Sequence, residues 1–442
     1  MINDKLMQRE SEGKPIRVAI VGAGHMGGGT AHQISRMKGI ETSILAELDV
    51  EKAIAVYETN GISKDSVLVT NNPDDAQDAI LKGKPVVTED GELAAKVADI
   101  DAVVEATGLP EVGARVAHAS IMGGKHTVML NVEADVVIGP ILAKLANSAG
   151  VVYSIAAGDQ PGAICELYDF ATTLGFEVVT AGRGTWSRPG YHYLTPESFK
   201  DLEKEMGGSA KMYCSFYDGT KPNIEMAVTA NVLGLVPDVR GMHEPFAYVD
   251  HLQKVFSLKE NGGILSQKGV VELANQYDAE GKQILKGTVG QGVFLVVTTD
   301  HPIIQKNMKH LFRSIEGAGP NYALYRPYHL TCVETPNSVI RACLYGESTG
   351  TPRETLVTEV VAITKKDLKA GEILDGGGGY TVHGQIERAE IARDEELLPL
   401  GFAYDIPVVR DIPKDSPIKY SDVTLDTRSF IYKLRQLQGA AK

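Results

Sequence analysis

Between residues 16 and 160 the chain alternates short, wholly apolar runs with segments of helical period. Val18–Val21 is apolar on both faces and runs through glycines into an amphipathic stretch ending near Arg36. "TSILAELD", "DAVVEATG" (Asp101–Gly108), "HTVMLNVEAD" and "GVVYSIAAGDQPG" follow, each an apolar run that stops at polar residues or glycine. Continuous apolar strands separated by helical patterns predict a parallel sheet covered by helices on both faces. Further on, a helix is expected over Ala163–Thr173, a strand over "FEVVTAGRGTW", and a segment capped by Thr195 with Pro196 in its first turn. A strand is expected over Lys211–Tyr217. Thr220 then caps a helix with Ile224, Ala227, Val228 and Asn231 at i, i+3, i+4, i+7 and Gly234 near its end. From Val361 the texture changes to short strands: "ITKKDLKAGEIL" and "RDIPKDSPIKYSDVTLD" share a plan, separated by the glycine run Gly376–Gly379, a linker or a phosphate-approaching loop.

These shifts divide the 442 residues into an α/β dinucleotide-binding domain (1–160), an α+β substrate and dimerisation domain (161–350) and a small β-rich domain (351–442). With 43% hydrophobic residues and 23% charged ones, the composition is that of a globular chain. A net charge of −13 argues against nucleic acid and anionic membranes, both of which need a cationic face. There is no long apolar stretch to span a bilayer and the N-terminus has no secretory pattern. Four cysteines without C-x-x-C spacing fit reduced thiols in the cytoplasm.

Chemistry enters at "RVAIVGAGHMGGGT". Strand, G-x-G-x-x-G, helix is the order a dinucleotide site needs: Gly22 turns, Gly24 admits the pyrophosphate, and Gly27 lets the helix pack, with His25 and Met26 between them. Glu47, about twenty residues on, is placed for the ribose hydroxyls and favours NAD, whereas nearby Lys52 would accept the phosphate of NADP. Thr107, Gly108, Asn131 and Glu133 follow two further strands and belong to the same crevice. Asp159 and Gln160 end the next strand, where nicotinamide should meet substrate; as a plain alternative Asp159 caps the following helix. Arg183 stands between two glycines at a strand end. Asp218, Lys221 and Glu225 gather at one junction, with a Lys221–Glu225 ion pair as the plain alternative. Lys204 lies on a helical face, and Tyr322, Arg326 and His329 fall in an aromatic stretch suited to an anionic group.

The blocks G-x-G-x-x-G, V-V-E-A-T-G, N-x-E-A-D and G-D-Q-P-G resemble the homoserine dehydrogenase-like group, and the tail resembles the SAF module. With G-R-G-T-W, Y-D-G-T-K-P-x-I-E-M and R-P-Y-H-L, the order resembles the family called 1-deoxy-D-xylulose 5-phosphate reductoisomerase-like. That resemblance implies a homodimer that rearranges a ketose phosphate and reduces the aldehyde with NADPH. It covers nearly the whole length, yet the G-x-T-G-S, S-E-G-G and S-A-T-M-M-N-K blocks of ordinary reductoisomerases are absent, as is the lysine-bearing segment of homoserine dehydrogenases. Such chemistry needs a polarised carbonyl, a deprotonated hydroxyl and an anchored phosphate. Asp159, Asp218 and Glu225 are the carboxylates available, and Arg183, Lys204, Lys221 and Arg326 the cations. Asp159 and Glu225 would hold magnesium or manganese if a metal is used. A dehydrogenase or oxidoisomerase of a branched sugar acid or homoserine-like substrate, and a redox-sensing regulator, are the alternatives.

Overall fold

The computed structural model describes residues 1–311 and 320–440. They form two compact units: Met1–Asp159 with Leu330–Glu354 and Thr427–Lys442, and Gln160–His329 with Thr355–Asp426. Among the described residues no helix is long and apolar enough to cross a membrane.

In the first unit seven strands, β1 (Ile16–Val21), β2 (Ile40–Ala46), β3 (Leu68–Val69), β4 (Val86–Thr88), β5 (Ala102–Glu105), β6 (His126–Met129) and β7 (Tyr153–Ile155), form one sheet. The order is β3-β4-β2-β1-β5-β6-β7 and every pairing is parallel. Helices α1 (Ile2–Ser11), α2 (His25–Ile34), α3 (Val50–Thr59), α4 (Pro73–Leu81), α5 (Pro110–Met122) and α6 (Val132–Ala149) are interleaved with the strands. Alternate residues of one strand feed two cores, Val18 and Ile20 on one face, Ala19 and Val21 on the other. This is why these strands read as unbroken apolar runs. Strand order reverses between β1 and β5, and a dinucleotide-binding sheet opens its crevice at such a switch point. The α/β, Rossmann-type architecture expected of this region is what the sheet shows.

The second unit begins with α7 (Gln160–Thr173) and is built on β8 (Glu177–Thr185), β9 (Val236–Pro237), β10 (Val270–Asn275), β11 (Val293–Thr298) and β12 (Asn321–Arg326), in the order β12-β11-β8-β10-β9. β8 is parallel to β10 and antiparallel to β11. Phe256 and Phe294 stack at 5.1 Å in its core. α8 (Lys200–Met206), α9 (Ala210–Tyr217) and α10 (Thr220–Leu233) follow β8. The pairs β13 (Thr358–Thr364) with β15 (Val382–Arg388), and β14 (Ile373–Asp375) with β16 (Tyr404–Pro407), complete the unit.

Three local expectations are corrected. Residues 211–217 are helical, not a strand: Ser209 accepts from the Met212 amide at 3.1 Å as an N-cap, and Ala210 and Cys214, four apart, are buried. Gly219 rather than Thr220 precedes α10, because a positive φ of 85° is needed there; the Thr220 hydroxyl instead accepts from the Gly384 amide at 3.0 Å. The Gly376–Gly379 run is neither linker nor phosphate loop. It packs on α9, so that a Cβ at Gly378 would stand 2.2 Å from the Lys211 carbonyl oxygen.

Candidate functional site

In the first unit the glycine loop joins β1 to α2 with the geometry its sequence requires. Gly22 has φ of 94° and lies against Ala106 and Thr107; a Cβ at Gly27 would meet the Gly22 carbonyl oxygen at 1.8 Å. Over Gly24 there is open space, with only the Lys52 ammonium near, 3.9 Å from a Cβ position. Gly24 is also the N-cap of α2 and offers no side chain, so the first amides of a ten-residue helix have no side-chain cap. Uncapped amides and the positive end of the helix dipole suit a phosphate. The residues present therefore fit a dinucleotide. His25 is exposed at the start of α2, and Met26 packs into the core beneath.

Glu47 follows β2 and is held in place. Its Oε2 accepts from the Ala23 amide at 2.9 Å and from Lys52 Nζ at 3.3 Å. Lys52 thus stands beside both the acidic residue and the glycine loop. Thr107 and Asn131 are fixed at the ends of β5 and β6: Asn131 Oδ1 accepts from the Ala134 amide as the cap of α6, and its amide donates to the Leu109 carbonyl at 3.0 Å. Thr107 donates from both hydroxyl and amide to Glu105 Oε1. Glu105 is buried at the end of β5, and burial pushes its carboxyl up to about 7 against those hydrogen bonds. Gly108 is exposed with φ of 70°, Glu133 is half-buried in the first turn of α6, and Asp159 is buried at 8% exposure.

The second unit holds the other expected residues, differently partnered than their spacing suggested. Arg183 sits inside β8, 1% exposed. Its guanidinium donates to Glu225 of α10, likewise 1% exposed, and to the Gly184 carbonyl at 3.0 Å. The flanking glycines serve packing and not a ligand: Cβ atoms at Gly182 and Gly184 would run into the Phe294 ring and the Gly290 backbone. Glu225 is therefore paired with Arg183 rather than Lys221. Asp218 is fully buried, and its Oδ2 accepts from Lys365 Nζ at 2.7 Å. Lys365 also donates to the Leu194 and Gly379 carbonyls, each at 2.7 Å. Lys221 is half-buried at the start of α10, and Gln160 is buried as the first residue of α7. Arg326 donates to Glu166 of α7 at 2.7 Å and lies over the Tyr328 ring at 4.7 Å. His329 Nδ1 meets the Gln291 carbonyl at 2.6 Å, and the Tyr322 hydroxyl donates to the Gln305 carbonyl at 2.9 Å. Lys204 forms only an exposed pair with Asp201 at 3.6 Å.

Around Asp218 the fold assembles residues the sequence did not single out. His192 Nδ1 lies 3.2 Å from the Asp218 carbonyl, and its ring stacks on His383 at 4.3 Å. Burial, with Lys365 and His192 beside it, holds His383 well below the usual imidazole range, so it is neutral. Tyr191 covers Gly219 and donates to Glu244 Oε2 at 2.7 Å. The other Glu244 oxygen is buried without a hydrogen bond, and burial raises this carboxyl to about 7. Glu244 is therefore able to take up or release a proton near neutral pH. Burial and the neighbouring Glu244 hold Tyr191 well above the usual tyrosine range, so it keeps its proton and donates to Glu244. The three titratable rings in "YHY" were a visible signal; Lys365 had none. Among the described residues no group of three or more His, Cys, Asp or Glu side chains is arranged for a metal ion. With the Glu225 carboxylate held by Arg183, the expected Asp159 and Glu225 ligand set has no support in this geometry.

Residues 158–335 match the family described as Oxidoreductase DRL, catalytic domain, less than half of the chain. That stretch is thus similar to a catalytic domain of oxidoreductase type, and the Rossmann-type sheet lies N-terminal to it in the sequence. Among proteins of curated function, no sequence matches. Similar solved structures include a probable dehydrogenase from Thermotoga maritima, 11% identical, with TM-score 0.40, covering 75% of this chain and 90% of that one. Scyllo-inositol dehydrogenase from Lactobacillus casei, with bound NAD(H) and scyllo-inositol, is 14% identical with TM-score 0.34, covering 64% and 74%. The 1-deoxy-D-xylulose 5-phosphate reductoisomerase from Zymomonas mobilis, in complex with NADPH, is 17% identical with TM-score 0.35, covering 49% and 57%. All three are distant, and none bears on the reaction.

Proposed function

We infer that the chain is a nicotinamide-dependent oxidoreductase, and within that class a reductoisomerase converting 1-deoxy-D-xylulose 5-phosphate to 2-C-methyl-D-erythritol 4-phosphate with NADPH, in isoprenoid precursor synthesis. The observation that carries the class is the open, uncapped cradle over Gly24. The matched DRL catalytic domain supports the finer reading. Lys52 beside Glu47 and Gly24 supports NADPH, because a cation there would neutralise the extra phosphate that Glu47 alone would repel.

When bound, the nicotinamide supplies hydride. The chain's own residues do the rest: the α2 amides take the pyrophosphate, and Glu244, held by the Tyr191 hydroxyl, takes up or releases a proton. Lys221 sits at the positive end of α10 and Arg326 beside Tyr328; these two are the phosphate anchors of the reading. The Glu244 carboxyl, raised by burial to about 7, favours as second reading a dehydrogenase of a sugar acid, in which a protonated side chain rather than a cation polarises the carbonyl. A homodimer in the cytoplasm, acting on a small phosphorylated sugar without nucleic acid or membrane, belongs to the proposal. Following NADPH oxidation at pH 7 with ketose phosphates and homoserine-pathway aldehydes, and reduction of NADP+ or NAD+ with sugar acids, decides between them. Turnover only of sugar acids selects the second reading, and no turnover with tight NADPH binding selects a redox sensor.

A further inference from the structure

A cavity of about 310 Å³ lies in the first unit at the amino ends of the strands, opposite the glycine loop. Glu41 lines it and Glu47 lies at the other end of β2, six residues or ~20 Å of extended chain away. The site is therefore separate from the nucleotide cradle.

β2 opens this space. Its pairing with β4 starts at Ile44↔Val86, so Ile40–Ser43 have no strand on that side. On the other side Val18 pairs with Thr42 but Ala19 pairs with Ile44, leaving Ser43 as an extra residue. A bulge in a parallel pair is uncommon, and bulges redirect side chains. Here Thr42 lines the cavity with its hydroxyl buried and without a hydrogen-bond partner. Buried hydroxyls are normally satisfied, so one left over in a cavity wall can be met by a ligand atom after a turn of its side chain.

The walls define the ligand. Ile34, Ile40, Ile62, Ile80 and the Tyr57 ring make an apolar lining, and the Tyr57 hydroxyl is committed to the Thr42 carbonyl at 3.2 Å. Both carboxylates are occupied: Glu10 accepts from the Gly39 amide at 2.9 Å and from Lys38 at 3.4 Å, and Glu41 from Arg17 at 3.3 Å. Lys84, exposed at the edge, has no ion pair or hydrogen bond from its ammonium among the described residues. A slot of this size that mixes isoleucine side chains with polar groups, and carries one unspent hydroxyl and one unspent cation, matches a small amphipathic anion. We propose that this cavity binds a carboxylate with a short aliphatic or aromatic body, its acid group on Lys84, its body on the isoleucines and an oxygen on the Thr42 hydroxyl.

The test titrates octanoate, and octanol as its uncharged counterpart, into the full chain carrying labelled isoleucine methyl groups, with NADPH absent and then saturating. Octanoate should shift the Ile34, Ile40, Ile62 and Ile80 signals in both cases. Lys84→Glu, an exposed change, should weaken octanoate about tenfold and octanol less than about twofold. Thr42→Val should also weaken octanoate while leaving thermal stability unchanged or raised, which a purely structural Thr42 would not allow. Absence of shifts at these four isoleucines at millimolar octanoate overturns the proposal. Octanoate binding that is indifferent to Lys84→Glu overturns it too, since the hollow would then lack anion selectivity.

Discussion

Glu225→Gln is the change that separates a structural role from a chemical one. Arg183 and Glu225 are each 1% exposed and meet on β8 and α10. Glutamine keeps the shape and removes the carboxylate charge that faces the buried guanidinium. Breaking a buried pair in this way costs about 3–5 kcal/mol, whereas replacing both partners with apolar residues is often neutral. Glu225→Gln should therefore lose about 3–5 kcal/mol, and Arg183→Met combined with Glu225→Met should recover most of it. The protein carries its own reporter. Trp186 is the sole tryptophan and lies 5.8 Å from the Arg183 guanidinium, so its emission during urea unfolding follows this unit. A loss below about 1 kcal/mol, joined to a collapse in turnover, would refute the reasoning and make Glu225 a catalytic carboxylate.

Other changes probe the rest. Gly27→Ala should cut NADPH affinity at least about a hundredfold by fluorescence titration, since its Cβ would fall 1.8 Å from the Gly22 carbonyl oxygen. Arg326→Ala should raise KM for a phosphorylated substrate with kcat little changed; an unaltered KM removes it from the site. Asp159→Asn should leave melting temperature and NADPH binding near normal and slow turnover at least about a hundredfold, because asparagine caps as well as aspartate but carries no charge. Glu105, raised by burial from 4.5 to about 7, keeps its proton in the folded state over that interval while the unfolded chain has lost it. Stability should then fall as pH rises from about 4.5 to 7, by up to ~1.4 kcal/mol per pH unit for this group, and Glu105→Gln should flatten the slope in thermal melts.

What the sequence revealed followed from the range of each interaction. The glycine loop was legible because Gly22, Gly24 and Gly27 act on one turn, and the parallel strands because both faces are apolar. Residues 211–217 were misread because the aromatics of "KMYCSFY" suggest a strand, while the Ser209 cap and the buried Ala210 and Cys214 decide for a helix. Arg183 between glycines looked like a ligand-facing cation; the glycines instead admit Phe294 and Gly290. Lys365 and Asp218 lie 147 residues apart, and Tyr191 and Glu244 lie 53 apart. No local pattern encodes such partners, because only the fold brings them together.

The ion pairs also rank the cations. Arg183, Lys365, Arg326 and Lys204 all have carboxylate partners, so an incoming phosphate must displace one of them or find another cation. Lys204, 78% exposed, is too solvated to hold an anion firmly. Releasing Glu225 or Asp218 would strand a charge in a buried site at a cost of several kcal/mol. Glu166, 36% exposed, can turn to water when it leaves Arg326, which is itself only 14% exposed and backed by the Tyr328 ring. Partner exchange at Arg326 is thus the inexpensive one, comparable to a surface pair at about 0–1 kcal/mol. Its planar fork can then take two phosphate oxygens. Of the four paired cations, Arg326 alone combines a releasable partner with a sheltered charge, and it is there that a phosphorylated substrate should be anchored.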